Sequence, residues 1–230
     1  MSVLIVARTR MGGDHRCIGG LIVDESWKDN YLTSVRLLTA NGNHFTSVVD
    51  FDVGEFWNVD FSYSNNTELP HSEDVRVYDS SFEQECDDLS AFLREHQSRL
   101  AELNRWWEGS TDAMFGGKLN ATRAGTGYVS DADVSEVSTG FWVPDQDLDR
   151  SEYDGTVRYN YPGFSNVDQL KHVGTNKLPQ VIPEGTICRV SLSRWYSPDS
   201  IPEEGYWLQL SGAYLRNEDA SDSDSDDLPF

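Results

Sequence analysis

The segment Val35-Arg36-Leu37-Leu38-Thr39 is rich in branched apolar residues, and the pair Asn41-Gly42 follows it almost at once. An Asn-Gly pair between two apolar segments is a strong β-hairpin signal, because both residues readily adopt the positive φ angles of a tight turn. Beyond the pair, the residues from Phe45 to Phe51 alternate loosely between apolar and polar. We therefore expect a strand over 35–39 that a hairpin joins to a strand over 45–51.

Short apolar segments of the same kind lie on both sides of this one. They are Val3–Val6, Cys17–Val23, Phe56–Tyr63 and Val75–Tyr78. About five or six short strands at this spacing, separated by turn residues, are typical of a small barrel or sandwich. Residues 1–79 are therefore expected to form a first OB-like β domain.

Residues 80–108 change to a helical period. Ser80 or Ser81 can cap a helix, with Glu83 or Gln84 three residues on completing a capping box. Apolar side chains then recur at i, i+3, i+4 and i+7, namely Leu89, Phe92, Leu93, His96, Leu100, Leu103 and Trp107. The pattern predicts one long amphipathic helix that ends at Gly109 and connects two β-blocks.

The rest of the chain divides into a linker, a second β-block and a tail. Residues 109–127 are rich in Gly, Ser, Thr and Ala, which indicates a connection. Residues 128–216 return to β character, most clearly in Gly185–Leu192 and Tyr206–Ser211, and are expected to form a second OB-like domain. Residues 217–230 are acidic and offer little to bury, so we expect a disordered tail. The predicted fold class is mainly β, with two small OB-like barrels separated by one long helix.

The chain carries a formal net charge of −21, from 18 Lys and Arg against 39 Asp and Glu among 230 residues. Asp outnumbers Glu by 24 to 15, Arg outnumbers Lys by 14 to 4, and the acids are spread along the whole chain. Either a function needs this charge, or the protein works in a high-salt cytoplasm where net charge maintains solubility. We favour the second explanation, which predicts a halophilic, cytoplasmic protein.

Membrane and secreted classes are not expected. The apolar run near the start, from Val3 to Ala7, is far shorter than the ~20 residues that cross a bilayer, and no secretory signal is recognisable. The three cysteines Cys17, Cys86 and Cys188 are odd in number and widely scattered, which indicates reduced thiols inside a cell.

Catalytic and cofactor motifs are missing from the sequence. There is no G-x-S-x-G, H-E-x-x-H or G-x-x-x-x-G-K motif and no pair of cysteines two residues apart. The run Asp145–Asp149 opens like a calcium loop, but Arg150 and Thr156 stand where that loop needs Gly and Glu. We therefore expect no metal, no cofactor and no catalysis, with a hydrolase of unrecognised site as a minor alternative.

Two clusters of basic and aromatic residues stand out in this acidic chain. The first, Arg8, Arg10, His15 and Arg16, surrounds a short loop, and the second consists of Arg189, Arg194, Trp195 and Tyr196. Guanidinium groups beside exposed aromatic rings suit phosphates and stacked bases. The alternative is that these arginines pair with the abundant carboxylates and that the two aromatic residues belong to the core.

The segment Ala7-Arg8-Thr9-Arg10-Met11-Gly12-Gly13-Asp14-His15-Arg16-Cys17-Ile18-Gly19-Gly20 resembles the opening of the dual OB-fold domain family, in which a polar SRK-like stretch leads into an RCIAG-like strand. The segments 189–196 and 206–212 look like that family's C-terminal strands. Thr9 and Met11 differ from the small polar Ser and the common Lys of the family. The resemblance implies a prokaryotic protein of defence and other conflict loci, with a nucleic acid or nucleotide as the supposed ligand.

These observations lead to two functional hypotheses. The first is non-catalytic recognition of a nucleic acid or nucleotide by paired OB folds, as an accessory of a prokaryotic defence system, with Arg8, Arg10 and Arg16 on phosphates and Trp195 with Arg194 for stacking. The alternative is a protein–protein module that assembles a larger complex with partners encoded nearby, which an exposed Trp106 would support. Because molar salt screens long-range charge, nucleic-acid binding would then depend on stacking and short hydrogen bonds.

Overall fold

A computed structural model describes residues 1–64, 68–199 and 201–215, and shows a mainly β protein. The first group of strands is β1 (Ser2–Arg10), β2 (His15–Ile22), β3 (Ser34–Thr39), β4 (Phe45–Thr46), β5 (Glu55–Tyr63) and β6 (Asp74–Glu85). The helices are α1 (Leu89–Glu95) and α2 (Gln97–Glu102), with 3₁₀ segments at Lys28–Asn30, Thr111–Gly117 and Asp131–Asp133. The remaining strands are β7 (Trp106–Gly109), β8 (Asn120–Ala121), β9 (Gly127–Val129), β10 (Thr139–Pro144), β11 (Leu148–Tyr153), β12 (Thr156–Asn160), β13 (Gln169–His172), β14 (Val181–Ile182), β15 (Ile187–Tyr196) and β16 (Gly205–Tyr214).

The first strands form a closed five-stranded barrel, which fits the OB-like barrel predicted for this region. The strand order is β1-β5-β6-β3-β2, and β2 pairs back with β1 to close it. All neighbours are antiparallel except β3 and β6, which are parallel. Val3, Ile5, Ile18, Val35 and Leu37 fill the interior, as the two-residue period of their strands requires.

The predicted hairpin at Asn41-Gly42 is wrong. The chain does turn there, with the Gly42 amide donating to the Thr39 carbonyl, but β3 pairs with β2 and β6, whereas β4 pairs with β2. The turn is therefore local, and closure of the barrel determines the neighbours of β3.

The predicted long helix over 80–108 is also wrong. Residues up to Glu85 continue β6, because their backbone pairs with β5, and Asp88, not Ser80 or Ser81, caps the first helix. The helical region is split at His96 into α1 and α2, and Trp106 and Trp107 lie in β7 beside Phe141 and Trp142. The apolar period holds only over 89–103, where Leu93 and Leu100 pack against the outside of the barrel.

The second half forms a ten-stranded sheet, which we call the second sheet. Its main path is β14-β11-β12-β13-β16-β15-β10-β7, and β8 and β9 join it through β16. The predicted linker over 109–127 therefore includes β8 and a 3₁₀ segment. Within the described ranges no pairing joins the two ends of the path, so a second closed barrel is not confirmed. The predicted tail, 217–230, lies outside the described residues.

The barrel and the second sheet pack directly on each other. Leu4 and Val6 of the barrel share one apolar cluster with Phe141, Ile187 and Tyr214, to which the two helices also contribute. Backbone hydrogen bonds join β1 to the segment after β13: the amide of Arg10 donates to Val173 at 2.8 Å, and that of Thr175 donates to Arg8 at 2.9 Å. Across the described part of the chain, no helix is long and apolar enough to cross a membrane.

A cationic pocket between the barrel and the second sheet

A cavity of about 450 Å³ lies where the barrel meets the second sheet. We call it the cationic pocket, because five basic side chains and one carboxyl line it: Arg10, Arg36, Lys171, Arg189, Arg194 and Glu73. The whole chain has only 18 Lys and Arg, so more than a quarter of its basic residues lie around this one cavity. Its volume is within the range of small-molecule sites.

Arg189 is the most buried of the basic residues, with an exposed fraction of 2%. The two-residue period of β15 places it on the same face as Ile187 and Ser191, and a bulge follows it at Val190. Its guanidinium lies 5.3 Å from the centre of the Phe141 ring. Among the described residues Arg189 forms no salt bridge, and the contact with the ring offsets part of the cost of burying its charge.

Small residues of the barrel make room for this side chain. A Cβ atom on Gly19 would lie 3.1 Å from Nη2 of Arg189 and 3.4 Å from the Cβ of Ala7. Nη1 of Arg189 has no hydrogen-bond partner among the described residues, although it is buried. An unpaired buried donor of this kind costs about 1–3 kcal/mol, which a bound acceptor would recover.

Arg36 and Arg194 share one carboxylate. Asp74 accepts from Nε of Arg36, its neighbour across the parallel pair β3–β6, and from Nη2 of Arg194 at 2.6 Å. Burial raises the pKa of Asp74, but the two guanidiniums outweigh burial and hold it below its usual value. Nη2 of Arg36 is nevertheless buried without a partner in the described ranges, so the carboxylate does not use up all the donors.

Glu73 is the one carboxyl on the pocket wall, and its exposed fraction is 4%. One oxygen accepts from the hydroxyl of Ser138, and the other has no partner among the described residues. Burial raises the pKa of Glu73, and the nearby Arg36 and Arg105 guanidiniums oppose that rise. The pocket therefore offers one acceptor beside several donors.

His172 and Cys17 also line the pocket, and neither carries charge at neutral pH. Burial lowers the pKa of His172 to about 4, with Arg10 and Arg150 adding to the effect. Burial raises the pKa of the Cys17 thiol, which keeps it protonated and weakly nucleophilic. Neutral His172 and a protonated thiol leave the positive charge of the pocket to its arginines and Lys171.

The structure divides the first predicted cluster. Arg10 lines the cationic pocket, whereas Arg8 lies outside its lining, where it pairs with Asp52 and donates to the Ser47 carbonyl at 2.9 Å. Arg16 donates to the backbone of His15 at 2.9 Å, and His15 is exposed. Of the four residues, only Arg10 is part of the pocket lining.

The second predicted cluster is divided in the same way. Arg189 and Arg194 line the pocket, while Trp195 and Tyr196 are exposed, by 45% and 57%, and lie outside the lining. The alternative that these two rings belong to the core is therefore wrong. Trp207 donates its indole N–H to the Tyr196 carbonyl at 3.0 Å and stacks on Tyr128, so an aromatic surface lies at this end of β15 and β16.

Sequence reasoning missed Arg36, Glu73, Lys171 and His172. None stands in a recognisable motif, and they reach the pocket only because β3 and the start of β6 in the barrel meet β13 of the second sheet at its wall. A usable signal was present at Arg36, which is a charged residue inside an otherwise apolar predicted strand. Within the ranges that the structure covers, no group of three or more His, Cys, Asp or Glu side chains is placed to hold a metal ion.

Comparison with protein-family models, with curated proteins and with solved structures finds no match to this chain. The resemblance to the dual OB-fold domain family therefore stays a prediction. The class that the structure itself defines is a mainly β protein with an OB-like barrel and a cationic pocket against a second sheet.

Proposed function

We propose that this protein binds a nucleic acid or nucleotide without transforming it, and that a phosphate group of the ligand lies in the cationic pocket. The observation that carries the proposal is Arg189, a buried guanidinium with an unpaired N–H in a cavity that four other basic side chains line. Guanidinium groups match phosphate oxygens in geometry and charge.

The distribution of charge supports an anionic ligand. In a protein of net charge −21, a cavity with five basic residues and one carboxyl is a local reversal of sign. Exposed carboxylates repel an anion at long range, and salt screens this repulsion. Contacts inside a partly closed pocket are screened much less. The pocket can therefore hold a phosphate even where the outer surface would repel one.

The chemistry of the lining supports binding without catalysis. The Cys17 thiol is protonated, and the Ser138 hydroxyl is 1% exposed and donates to Glu73. Neither group is placed as an activated nucleophile that a substrate could reach.

Several finer statements belong to the same proposal and draw support from the sequence resemblance or, for the high-salt cytoplasm, from the acidic composition. They are membership in the dual OB-fold domain family, a second OB-like domain over 128–216, an accessory role in a prokaryotic defence system and a high-salt cytoplasm. A stacking role for Trp195 and Tyr196 draws support from their exposure beside the pocket residue Arg194.

The test is isothermal titration calorimetry with the full chain in 0.5 M and 2 M KCl. The ligands are the four ribonucleoside 5′-monophosphates, their nucleosides and single-stranded, duplex and RNA oligonucleotides. Arg189→Met should weaken binding by at least tenfold, since one charge-assisted hydrogen bond contributes about 1.5–3 kcal/mol. The matched control is Arg99→Gln, because Arg99 pairs with Glu102 on the surface of α2. Absence of binding by every ligand would contradict the proposal.

The second candidate function is a protein–protein module. The predicted support for it is absent, because Trp106 is 8% exposed and lies in a strand. A different observation favours it: β3 pairs with β6 only over Asp74–Val77, so the following residues up to Glu85 form an edge that includes the exposed Tyr78 and Phe82. Such an edge can accept a strand from another chain. A pull-down from the native host with wild type and Phe82→Arg tests this role.

A further inference from the structure

We infer that the ligand group in the cationic pocket is a terminal phosphate monoester carried by a nucleoside, either a mononucleotide or the end of a strand, and not an internal phosphodiester. This inference rests on the proposed function and deepens it by naming the ligand chemistry.

The walls of the pocket are closed on two sides by contacts between the barrel and the second sheet. On one side, the backbone hydrogen bonds Arg10–Val173 and Thr175–Arg8 join β1 to the segment after β13. On the other side, Asp74 binds Arg194 at 2.6 Å, and the His71 Nε2 atom lies 2.9 Å from the Ser193 carbonyl oxygen. A nucleic-acid strand that ran from one of these walls to the other would have to break the contacts that form them.

The base of the pocket is closed as well. Arg189 is 2% exposed, and Gly19 of the barrel lies against its guanidinium. A phosphate that reaches this guanidinium can therefore have no nucleotide attached on its inward side. A terminal phosphate meets this condition, whereas an internal phosphodiester has a nucleotide on both sides.

The charge and the donors of the lining fit a monoester better than a diester. A phosphate monoester carries about −1.5 to −2 charges at neutral pH and three strong acceptor oxygens. The unpaired donors Arg189 Nη1 and Arg36 Nη2, together with Lys171, match that acceptor set. A diester carries one charge and offers two free oxygens, so it would leave part of this set unsatisfied.

Glu73 indicates that the phosphate is attached to a group with its own donors. One of its oxygens accepts from Ser138, and the other is buried without a partner among the described residues. A sugar hydroxyl or a base amino group can donate to that oxygen, whereas the ionised oxygens of a phosphate monoester dianion only accept. Inorganic phosphate offers only its P–OH as a donor, so it is the matched probe for the contribution of the nucleoside.

The experiment is calorimetry on the full chain in 0.5 M KCl with matched probes. These are adenosine 5′-monophosphate, adenosine, inorganic phosphate, and a six-nucleotide single strand with and without a 5′-phosphate or a 3′-phosphate. We expect adenosine 5′-monophosphate to bind at least tenfold more tightly than adenosine and inorganic phosphate. We expect a terminal phosphate at one end of the strand to tighten binding at least tenfold.

Variants locate the contacts. Arg189→Met should abolish the gain from the terminal phosphate, and Lys171→Gln, at the edge of β13, provides a second variant in case the buried substitution prevents folding. Glu73→Gln should weaken the binding of adenosine 5′-monophosphate at least threefold and should not weaken the binding of inorganic phosphate. Equal binding of phosphorylated and unphosphorylated strands would overturn this inference and leave the proposed function standing. Equal binding of inorganic phosphate and the nucleotide would also overturn it, and no binding of any probe would overturn both.

Discussion

Asp74 of the barrel accepts a hydrogen bond from Arg194 of the second sheet at 2.6 Å, and it also pairs with Arg36 of the neighbouring strand. One buried carboxylate thus holds two of the five basic side chains of the cationic pocket and joins the two halves of the molecule. Its place at the start of β6, beside Arg36 in the parallel pair with β3, makes this possible.

Replacing Asp74 should therefore destabilise the protein. Asp74→Ala leaves two guanidiniums without their carboxylate, and breaking a buried pair of this kind costs about 3–5 kcal/mol. Because Arg194 is half exposed, we expect the lower end, about 3 kcal/mol, in urea unfolding. The control is Asp52→Ala, since Asp52 pairs with Arg8 at the surface and should cost less than about 1 kcal/mol. Equal losses in the two variants would contradict the bridging role.

Phe141→Ala tests whether the barrel and the second sheet unfold together. Phe141 is fully buried in the cluster that joins them, so truncation should cost about 3–5 kcal/mol. If the two halves form one cooperative unit, far-ultraviolet circular dichroism and tryptophan fluorescence should report the same urea midpoint in wild type and variant. Val48→Ala, at an exposed site, is the control and should stay within about 0.5 kcal/mol. Separate transitions would show two independent units.

His71 should make stability depend on pH in the acid range. Burial lowers the pKa of His71 to about 3, with Arg36 and Arg194 adding to the effect, so the folded state holds this ring neutral. An unfolded histidine titrates near 6.5, so the contribution is present above pH 6.5 and is lost as the pH falls toward 3. His71→Gln should reduce the loss of the urea midpoint between pH 7.5 and 4.5. The difference in urea midpoint between wild type and His71→Gln at pH 7.5 gives the cost of the substitution itself. If the midpoints of the two proteins fall in parallel between pH 7.5 and 4.5, the prediction is contradicted.

The sequence predicted the barrel because about five or six short apolar segments follow one another at the spacing of a small barrel or sandwich, separated by turn residues. The sequence-based prediction failed at residues 80–85. The capping signal there depends only on neighbouring residues, whereas the pairing of β6 with β5 joins distant parts of the chain, and this tertiary pairing prevailed. The prediction failed again at Trp106-Trp107, whose apolar spacing continues that of the helices although the residues pair with Phe141 and Trp142. An apolar period shows which side chains are buried, but it does not show which partner buries them.

The candidate site was predictable only in part, for the same reason. Arg10, Arg189 and Arg194 stand out because basic residues are rare in this chain, and all three line the pocket. Arg36 and Glu73 come to the pocket through the parallel pairing of β3 with the start of β6, which no local pattern encodes. Arg8 and Arg10 share one side of β1, and Arg8 is kept out of the pocket by its contacts with Asp52 and Ser47, which no local pattern predicts.

Salt should stabilise the folded protein. A net charge of −21 at neutral pH produces self-repulsion in the compact state, and raising the ionic strength from 0.1 M to 1 M shortens the Debye length from about 10 Å to about 3 Å. We expect the melting temperature to rise steadily between 0.1 M and 2 M KCl. Sucrose at matched osmolality is the control, because it acts by exclusion from the surface and not by screening. A melting temperature that stays flat or falls in KCl would contradict the high-salt interpretation.

Arg8 and Arg10 provide the sharpest comparison for ligand binding, because they are two residues apart in β1 and only Arg10 lines the cationic pocket. Arg10 is exposed at the pocket and donates to the Thr175 carbonyl at 3.4 Å, whereas Arg8 is held by Asp52 outside the pocket lining. Arg10→Gln should weaken the binding of adenosine 5′-monophosphate about three- to tenfold, because it removes one partly exposed charge-assisted contact. Arg8→Gln should leave the affinity unchanged, although it removes the same charge from the same strand. Calorimetry in 0.5 M KCl distinguishes a contact from a general charge effect, because equal weakening by both variants would place the ligand outside the pocket.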